Sequence, residues 1–294
     1  AGSNYFFDGK IDDVRIYSRA LSANEISLLY DLEKAKTPIT NSNFKSAINL
    51  WFADEANATS TYGHISDWNV SAVTNMTNAF KDRATFNEDI SGWDVSNVTT
   101  MVQMFYGASL FNKPIGGWDV SSVTNMFSMF KLAHAFNQPI GDWNTSSVTF
   151  MARIFSNNNS FNQDIGNWDT SKVTSMESMF SGAKKFNQNI AAFNISSIAN
   201  MNYMFNNTPA LSAFNKGSMH QSFSSSSKWS YDWRHFVAID DSNFQTAVNL
   251  WFDNQTEANA TYGHISDWNT SAVTNMAEAF RGRTTFNEDI SNWD

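Results

Sequence analysis

The sequence repeats itself every 25 residues from Ile65 to about Asn215, and six copies keep this period with almost no slippage. Large apolar residues recur at fixed positions in each copy. Four such columns are Ile65, Ile90, Ile115, Ile140, Ile165 and Ile190; Trp68, Trp93, Trp118, Trp143, Trp168 and Phe193; Met76, Met101, Met126, Met151, Met176 and Met201; and Phe80, Phe105, Phe130, Phe155, Phe180 and Phe205. A fixed period of this size predicts a solenoid, in which stacked repeats bury the recurring side chains as one core.

The apolar spacing changes within a repeat. Trp118 and Val120 alternate with polar Asp119, which is typical of a strand, whereas residues 123–133 place apolar side chains at helical spacing. The change falls at residues 121–124, where serine and threonine could cap a helix. We therefore expect each repeat to form a short strand, a turn and a short helix, with the strands of successive repeats in one parallel sheet.

The repeat text is W-[DN]-[VT]-S-x-V-T-x-M-x-x-M-F-x-x-A-x-x-F-N-x-x-I, and it closely resembles the BspA-like leucine-rich-repeat surface proteins of bacteria. The resemblance covers residues 39–215 and 239–294. Its one departure is that Val98, Val123 and their equivalents stand where ordinary leucine-rich repeats carry asparagine. The resemblance implies an α/β, leucine-rich-repeat-like solenoid of short parallel strands and short helices, in a non-catalytic extracellular protein of the cell surface.

Residues 1–34 have a different pattern. Residues 5–17 read as strand material, and Ser22 to Glu25 form a capping box that opens a short helix. The text F-D-G-x-I-D-D-V-R-I-Y-x-R-A-L-S-x-x-E-I resembles the closing strand and terminal helix of LamG-like jelly rolls. It implies a jelly-roll remnant at the N-terminus, from a type of domain that often binds carbohydrate and sometimes calcium.

A second, longer period organises the rest of the chain. An amphipathic cap helix is expected over 42–52, and its sequence returns 200 residues later before the 25-residue period restarts at Ile265. We therefore divide the chain into a first repeat module (39–215), a C-terminal cap or linker rich in aromatic residues (216–238) and the start of a second, truncated module (239–294). This tandem arrangement predicts that the chain is a segment of a longer protein.

Composition excludes some partners. The net charge is −9 and the pI about 5.0, which disfavours nucleic acid and anionic membranes. No apolar run approaches the roughly 20 residues that span a bilayer, so membrane insertion is not expected. Cysteine is absent, so the chain has neither disulfides nor thiolate ligands.

The sequence carries no catalytic signature that we recognise, and we predict that the protein is not an enzyme and binds no cofactor. Its five histidines form no H-E-x-x-H motif, and no phosphate loop or nucleophile elbow is present. A polar column has serine two residues after each member and favours Asx turns. A calcium ion held between Asp94 and Asp119 is the alternative for this column. The column is Asn69, Asp94, Asp119, Asn144, Asp169 and Asn194.

Positions expected to face outward differ between repeats. Tyr106, Phe127, Arg153 and Tyr203 are the candidate partner-binding residues, although single exposed aromatic residues also occur on surfaces without a function. The leading hypothesis is an adhesion or recognition module that binds a protein or glycan on another surface. The alternative is a structural spacer or self-associating shaft segment, forming a homo-oligomer or a long surface filament.

Overall fold

The computed structural model describes residues 18–26, 36–291 and 293, and the chain divides into two compact units, residues 1–37 and 38–294. Within the first unit, the backbone N–H of Ser22 donates to Oε2 of Glu25 at 2.8 Å, and the N–H of Glu25 donates to Oγ of Ser22 at 3.3 Å. The capping box is thus confirmed. The strand expected over residues 5–17 lies outside the described residues.

The α-helices of the second unit lie at its N-terminus, at the module boundary and in the second cap. Helix α1 (Phe44–Ala53) buries Phe44, Ala47, Ile48 and Trp51, the i, i+3, i+4, i+7 stripe of an amphipathic helix. Helix α2 (Glu55–Tyr62) follows directly, and the side chain of Asp54 caps it by accepting from the N–H of Asn57. The five α-helices are α1 (Phe44–Ala53), α2 (Glu55–Tyr62), α3 (Ala213–Phe223), α4 (Phe244–Asp253) and α5 (Gln255–Tyr262). Short 3₁₀ helices span Ile65–Asp67, Arg234–Phe236 and Ile265–Asp267.

The repeats between residues 68 and 212 contain neither the strands nor the helices expected of them. All of these residues are described, and they form successive turns, with a single bridging residue in each repeat. The bridges are parallel and join Asn75, Thr100, Asn125, Phe150, Ser175 and Asn200 in series. The predicted fold class, an α/β leucine-rich-repeat-like solenoid of short parallel strands and helices with a jelly-roll remnant, is therefore wrong for the described residues.

A regular set of backbone hydrogen bonds replaces the sheet. Between residues 101 and 107, every second N–H donates to the following repeat at 2.8 to 3.0 Å. The donors are Met101, Gln103, Phe105 and Gly107, and the acceptors are the carbonyls of Asn125, Phe127, Met129 and Lys131. The N–H groups of Met104 and Tyr106 instead close turns within their own repeat, donating to the carbonyls of Met101 and Gln103 at 3.1 and 3.2 Å. We call the set of bonds between repeats the ladder. It pairs, between neighbouring repeats, backbone N–H and carbonyl groups that a helix would pair within itself.

The ladder has one direction because each repeat alternates between turn conformations. Gln103 has φ 52° and Gly107 has φ 68°, and the equivalent residues of the other repeats also have positive φ. A helix needs negative φ at every residue, so these positions end each turn and rotate the next N–H toward the neighbouring repeat. Every ladder donor therefore points to the following repeat, and every ladder acceptor faces the preceding one.

The recurring apolar columns form the core, as predicted. Phe105 and Phe130 are fully buried, and successive rings of the Phe80–Phe205 column stack 5.4 to 5.8 Å apart. The Trp118 indole N–H donates to the carbonyl of Ile90 at 3.2 Å, and Trp93, Trp143 and Trp168 repeat this bond. The tryptophans are thus part of the interior.

The last repeat of the first module is covered by an aromatic cluster. Trp229, Tyr231 and Trp233 pack against Phe205, and the Tyr231 hydroxyl accepts from the backbone N–H of Phe205 at 2.8 Å. Helix α3 then contacts α5 of the second cap, where Nε2 of His220 lies 2.7 Å from the carbonyl oxygen of Ala260. The first module is therefore capped and joined to the second by the same segment.

Candidate functional site

The polar column of the sequence forms Asx turns, as predicted. Asp94 and Asp119 are exposed, and Oδ1 of each accepts from the backbone N–H of the serine two residues on, at 3.1 and 3.0 Å. Asn69 and Asn144 make the same bond, so the shared requirement is an acceptor oxygen and not a charge. The serine side chains and backbone N–H groups lower the pKa of both aspartates.

The surroundings of Asp94 and Asp119 bear on the alternative of a calcium site. Among the described residues, no group of three or more histidine, aspartate or glutamate side chains is placed to hold a metal ion. Calcium prefers six to eight oxygen ligands. The turn geometry accounts for this column by itself.

Tyr106 lies between two lysines on the outer face of the ladder. Nζ of Lys81 is 5.1 Å from the centre of the Tyr106 ring, and Nζ of Lys131 is 5.5 Å from it. Lys81 also donates to Oε1 of Gln103 at 3.2 Å. The lysines belong to the repeats before and after Tyr106, so three successive repeats contribute to one cation–π group.

Phe127 and Arg153 belong to a second group beside it. The Arg153 guanidinium lies 6.0 Å from the Phe127 ring centre and forms a 2.5 Å ion pair with Glu177. The Phe127 ring also packs at 5.8 Å on Phe150, which occupies the bridge position of its repeat. Asn200 completes the group by donating to Oε2 of Glu177 at 3.3 Å.

The two groups are linked through charge. Burial, and then the nearby Arg153, lower the pKa of Lys131. We call the connected set the ladder cluster and define it as Lys81, Tyr106, Phe127, Lys131, Phe150, Arg153 and Glu177. It holds three cationic side chains and one carboxylate on a chain of net charge −9. The cluster is thus a cationic, aromatic patch on an acidic protein.

Three of the four predicted binding residues lie in the ladder cluster. Tyr203 does not: it is two repeats beyond Arg153 in the same column, is 65% exposed, and joins none of the cluster's ring, cation or hydrogen-bond contacts in the described part of the chain. The sequence prediction missed Lys81 and Lys131 in the Tyr106 column, Glu177 in the Phe127 column, and Phe150 in the bridge column. The variation of these columns between repeats was the available signal.

None of the described helices is both long and apolar enough to cross a membrane. A comparison with curated proteins and one with solved structures each return no significant match. One family model matches the chain in four overlapping segments, residues 48–148, 110–220, 138–251 and 217–294. These segments together span residues 48–294, which is more than half of the chain. The chain therefore belongs to the family described as Mycoplasma protein of unknown function, DUF285.

Proposed function

We propose that this chain is a non-enzymatic recognition module that holds a binding surface, the ladder cluster, on a rigid stack of repeats. Its place is at the cell surface, where it contacts a protein or glycan on another surface. The resemblance of the repeats to BspA-like surface proteins, and of the N-terminal residues to LamG-like domains, supports this extracellular setting.

One observation carries the proposal: the fully buried apolar columns hold nearly the same residue in every repeat, whereas the mostly half-buried outer columns do not. The position of Phe127 is Thr77 in the first repeat and Glu177 in the fifth, while the adjacent methionine column is unchanged throughout. Packing therefore does not dictate these outer residues. Aromatic and arginine side chains gathered at one place are the residue types that dominate protein binding energies.

The test is a binding screen of the full 294-residue chain against arrayed glycans and whole-cell surfaces, with and without calcium. A triple variant, Phe127→Thr, Tyr106→Ser and Arg153→Ser, introduces residue types that other repeats already carry in these columns. We expect saturable binding by the wild-type chain and a loss of at least about tenfold in the triple variant. Truncating one hot-spot aromatic or arginine side chain costs about 2 kcal/mol or more in binding free energy, which is more than tenfold in affinity.

Phe214→Ser is the matched control because Phe214 is 71% exposed and lies on α3, outside the ladder cluster. The control should bind as the wild type does. Equal binding by all three proteins would remove the ladder cluster from the proposal. No binding by a well-folded wild-type chain, across the glycans and cells, would contradict the recognition function itself.

A structural spacer is the second candidate, and the module joint favours it. Besides the His220–Ala260 contact, Nη1 of Arg234 donates to the carbonyl of Asn259 at 3.3 Å, so tandem modules are fixed to one another. A shaft of such modules would present length and stiffness and would bind nothing by its sides. Sedimentation analysis of a two-module chain would show a single elongated monomer for a spacer and concentration-dependent oligomers for a self-associating shaft.

A further inference from the structure

The ladder begins with a row of unused acceptors. In the second and later repeats of the first module, four carbonyls accept N–H groups from the preceding repeat. The equivalent carbonyls of the first repeat belong to Asn75, Thr77, Ala79 and Lys81, and no described residue donates to them. The opposite edge of this repeat is complete, since Met76, Asn78, Phe80 and Asp82 donate to the second repeat.

The N-terminal cap covers this edge only at its start. Oδ1 of Asn41 accepts from the backbone N–H of Thr74 at 2.8 Å. In the next repeat, the equivalent N–H belongs to Thr99 and donates to the carbonyl of Thr74. The side chain of Asn41 therefore replaces the carbonyl of a preceding repeat. Beyond Asn41 the chain turns into α1, and it makes no further ladder bonds along residues 75–81.

A cleft lies between α1 and this open edge. It has a volume of about 540 Å³ and is lined by Phe44 and Lys45 of α1 and by the ladder residues Asn75, Thr77 and Ala79. Asn78 also lines it, and the buried Oδ1 of Asn78 has no hydrogen-bond partner in the described structure. The cleft thus combines unused carbonyls, an unpaired amide oxygen and one cation.

The same arrangement recurs in the second module. The carbonyls of Asn275, Ala277, Ala279 and Arg281 accept from no described residue, and a cleft of about 420 Å³ lies beside them. Its lining residues Asp241, Phe244, Gln245, Thr274, Asn275 and Ala277 are 200 positions after those of the first cleft. Recurrence at the module period indicates that the open acceptor row is a regular feature of the cap.

We propose that each cleft binds a polypeptide segment in the turn conformation of a repeat, which donates alternate backbone N–H groups to the open carbonyl row. At each of the five junctions between repeats of the first module, the backbone N–H groups of every second residue fill the equivalent row. The donor segments follow successive turns with positive φ at every fourth residue, so a bound segment with the same turns matches the row. Addition of a peptide backbone to an exposed backbone edge is an established mode of peptide recognition.

The clefts differ in charge, which predicts different sequence preferences. Lys45 beside the first cleft is replaced by Gln245 beside the second, and Asn41 by Asp241. The first cleft should therefore favour acidic peptides and the second neutral or basic ones. The open row of the first module ends at the carbonyl of Lys81, whose side chain belongs to the ladder cluster. No cluster residue lines either cleft, so this proposal does not depend on the proposed function.

The test begins by selecting a random peptide library displayed on phage against the full chain. Enriched peptides are synthesised with a fluorescent label and titrated by anisotropy. Lys45→Trp fills the first cleft and Gln245→Trp the second, whereas Ser46→Trp, on the same helix but outside the cleft lining, is the control. Lys45, Gln245 and Ser46 are all exposed, so the three variants should fold.

We expect each single cleft variant to remove one class of site, the double variant to remove both, and Ser46→Trp to bind as the wild type does. Methylation of backbone N atoms at one set of alternate peptide residues should weaken binding by about tenfold per position, and methylation of the intervening set should not. Failure to enrich any peptide, full binding by the double variant, or no alternation in the methylation scan would each overturn the proposal.

Discussion

At the scale of single residues, the tryptophan column joins burial with hydrogen bonding. Trp118 is 4% exposed and its indole N–H is bonded to Ile90 of the preceding repeat. Trp118→Phe would leave that carbonyl without its partner in a dry interior. We expect a loss of about 1–3 kcal/mol in the free energy of unfolding beyond the lost apolar contact, measured by urea denaturation. Phe111→Leu, which removes ring volume from a fully buried site without touching this bond, is the comparison. An equal cost for the two variants would contradict this role of the indole.

The stability of the fold at acid pH also depends on single residues. Hydrogen bonds from serine lower the folded-state pKa of Asp94, Asp119 and Asp169, so these carboxylates stabilise the fold above their unfolded pKa of about 3.9. That stability is lost as the pH falls through the lower, folded-state pKa values. The triple variant with asparagine at all three positions should match the wild-type melting temperature at pH 7 and fall less steeply below pH 4. A melting temperature that depends on pH as in the wild type would contradict this source of acid sensitivity.

At the scale of the repeat element, the positive φ positions decide between ladder and helix. Gly107 has φ 68°, and a Cβ at this position would lie 2.6 Å from Oδ1 of Asp82. Gly107→Ala should destabilise the fold by about 1–2 kcal/mol. Gly92→Ala is the matched control, because no atom lies within 4 Å of its added Cβ and its φ is not in the left-handed region. Thermal unfolding of both variants checks this. If Gly107→Ala costs no more than Gly92→Ala, the left-handed turn is not a determinant of the repeat.

The repeat element also shows what the sequence could predict and what it could not. The period predicted the stack, the buried columns and the Asx turns, because each follows from residues that recur at one position. The prediction of a helix over residues 123–133 is wrong because turns that recur every few residues place apolar side chains at nearly helical spacing. The ladder depends on hydrogen bonds between residues 24 positions apart, as from Met101 to Asn125, and local spacing does not reveal them. For the candidate site, the outer columns identified Tyr106, Phe127 and Arg153, but their lysine and glutamate partners required the stacking of repeats.

At the scale of the whole molecule, the one-way ladder gives the module two chemically different ends. The first repeat offers acceptors, and the last repeat offers donors that the C-terminal cap must satisfy, as Tyr231 does for the N–H of Phe205. Repeats that contact only their neighbours lose order locally when an end is uncapped.

We therefore expect Tyr231→Phe to speed amide hydrogen exchange in residues 201–207 while leaving residues 101–107 unchanged. Mass-spectrometric exchange of the full chain would show this, with Tyr203→Phe as the control because its exposed hydroxyl takes part in no cap contact. Exchange that rises uniformly along the stack would mean that the module unfolds as one cooperative unit. In that case the cap stabilises all repeats equally, and its hydroxyl does not act as the local end of the ladder.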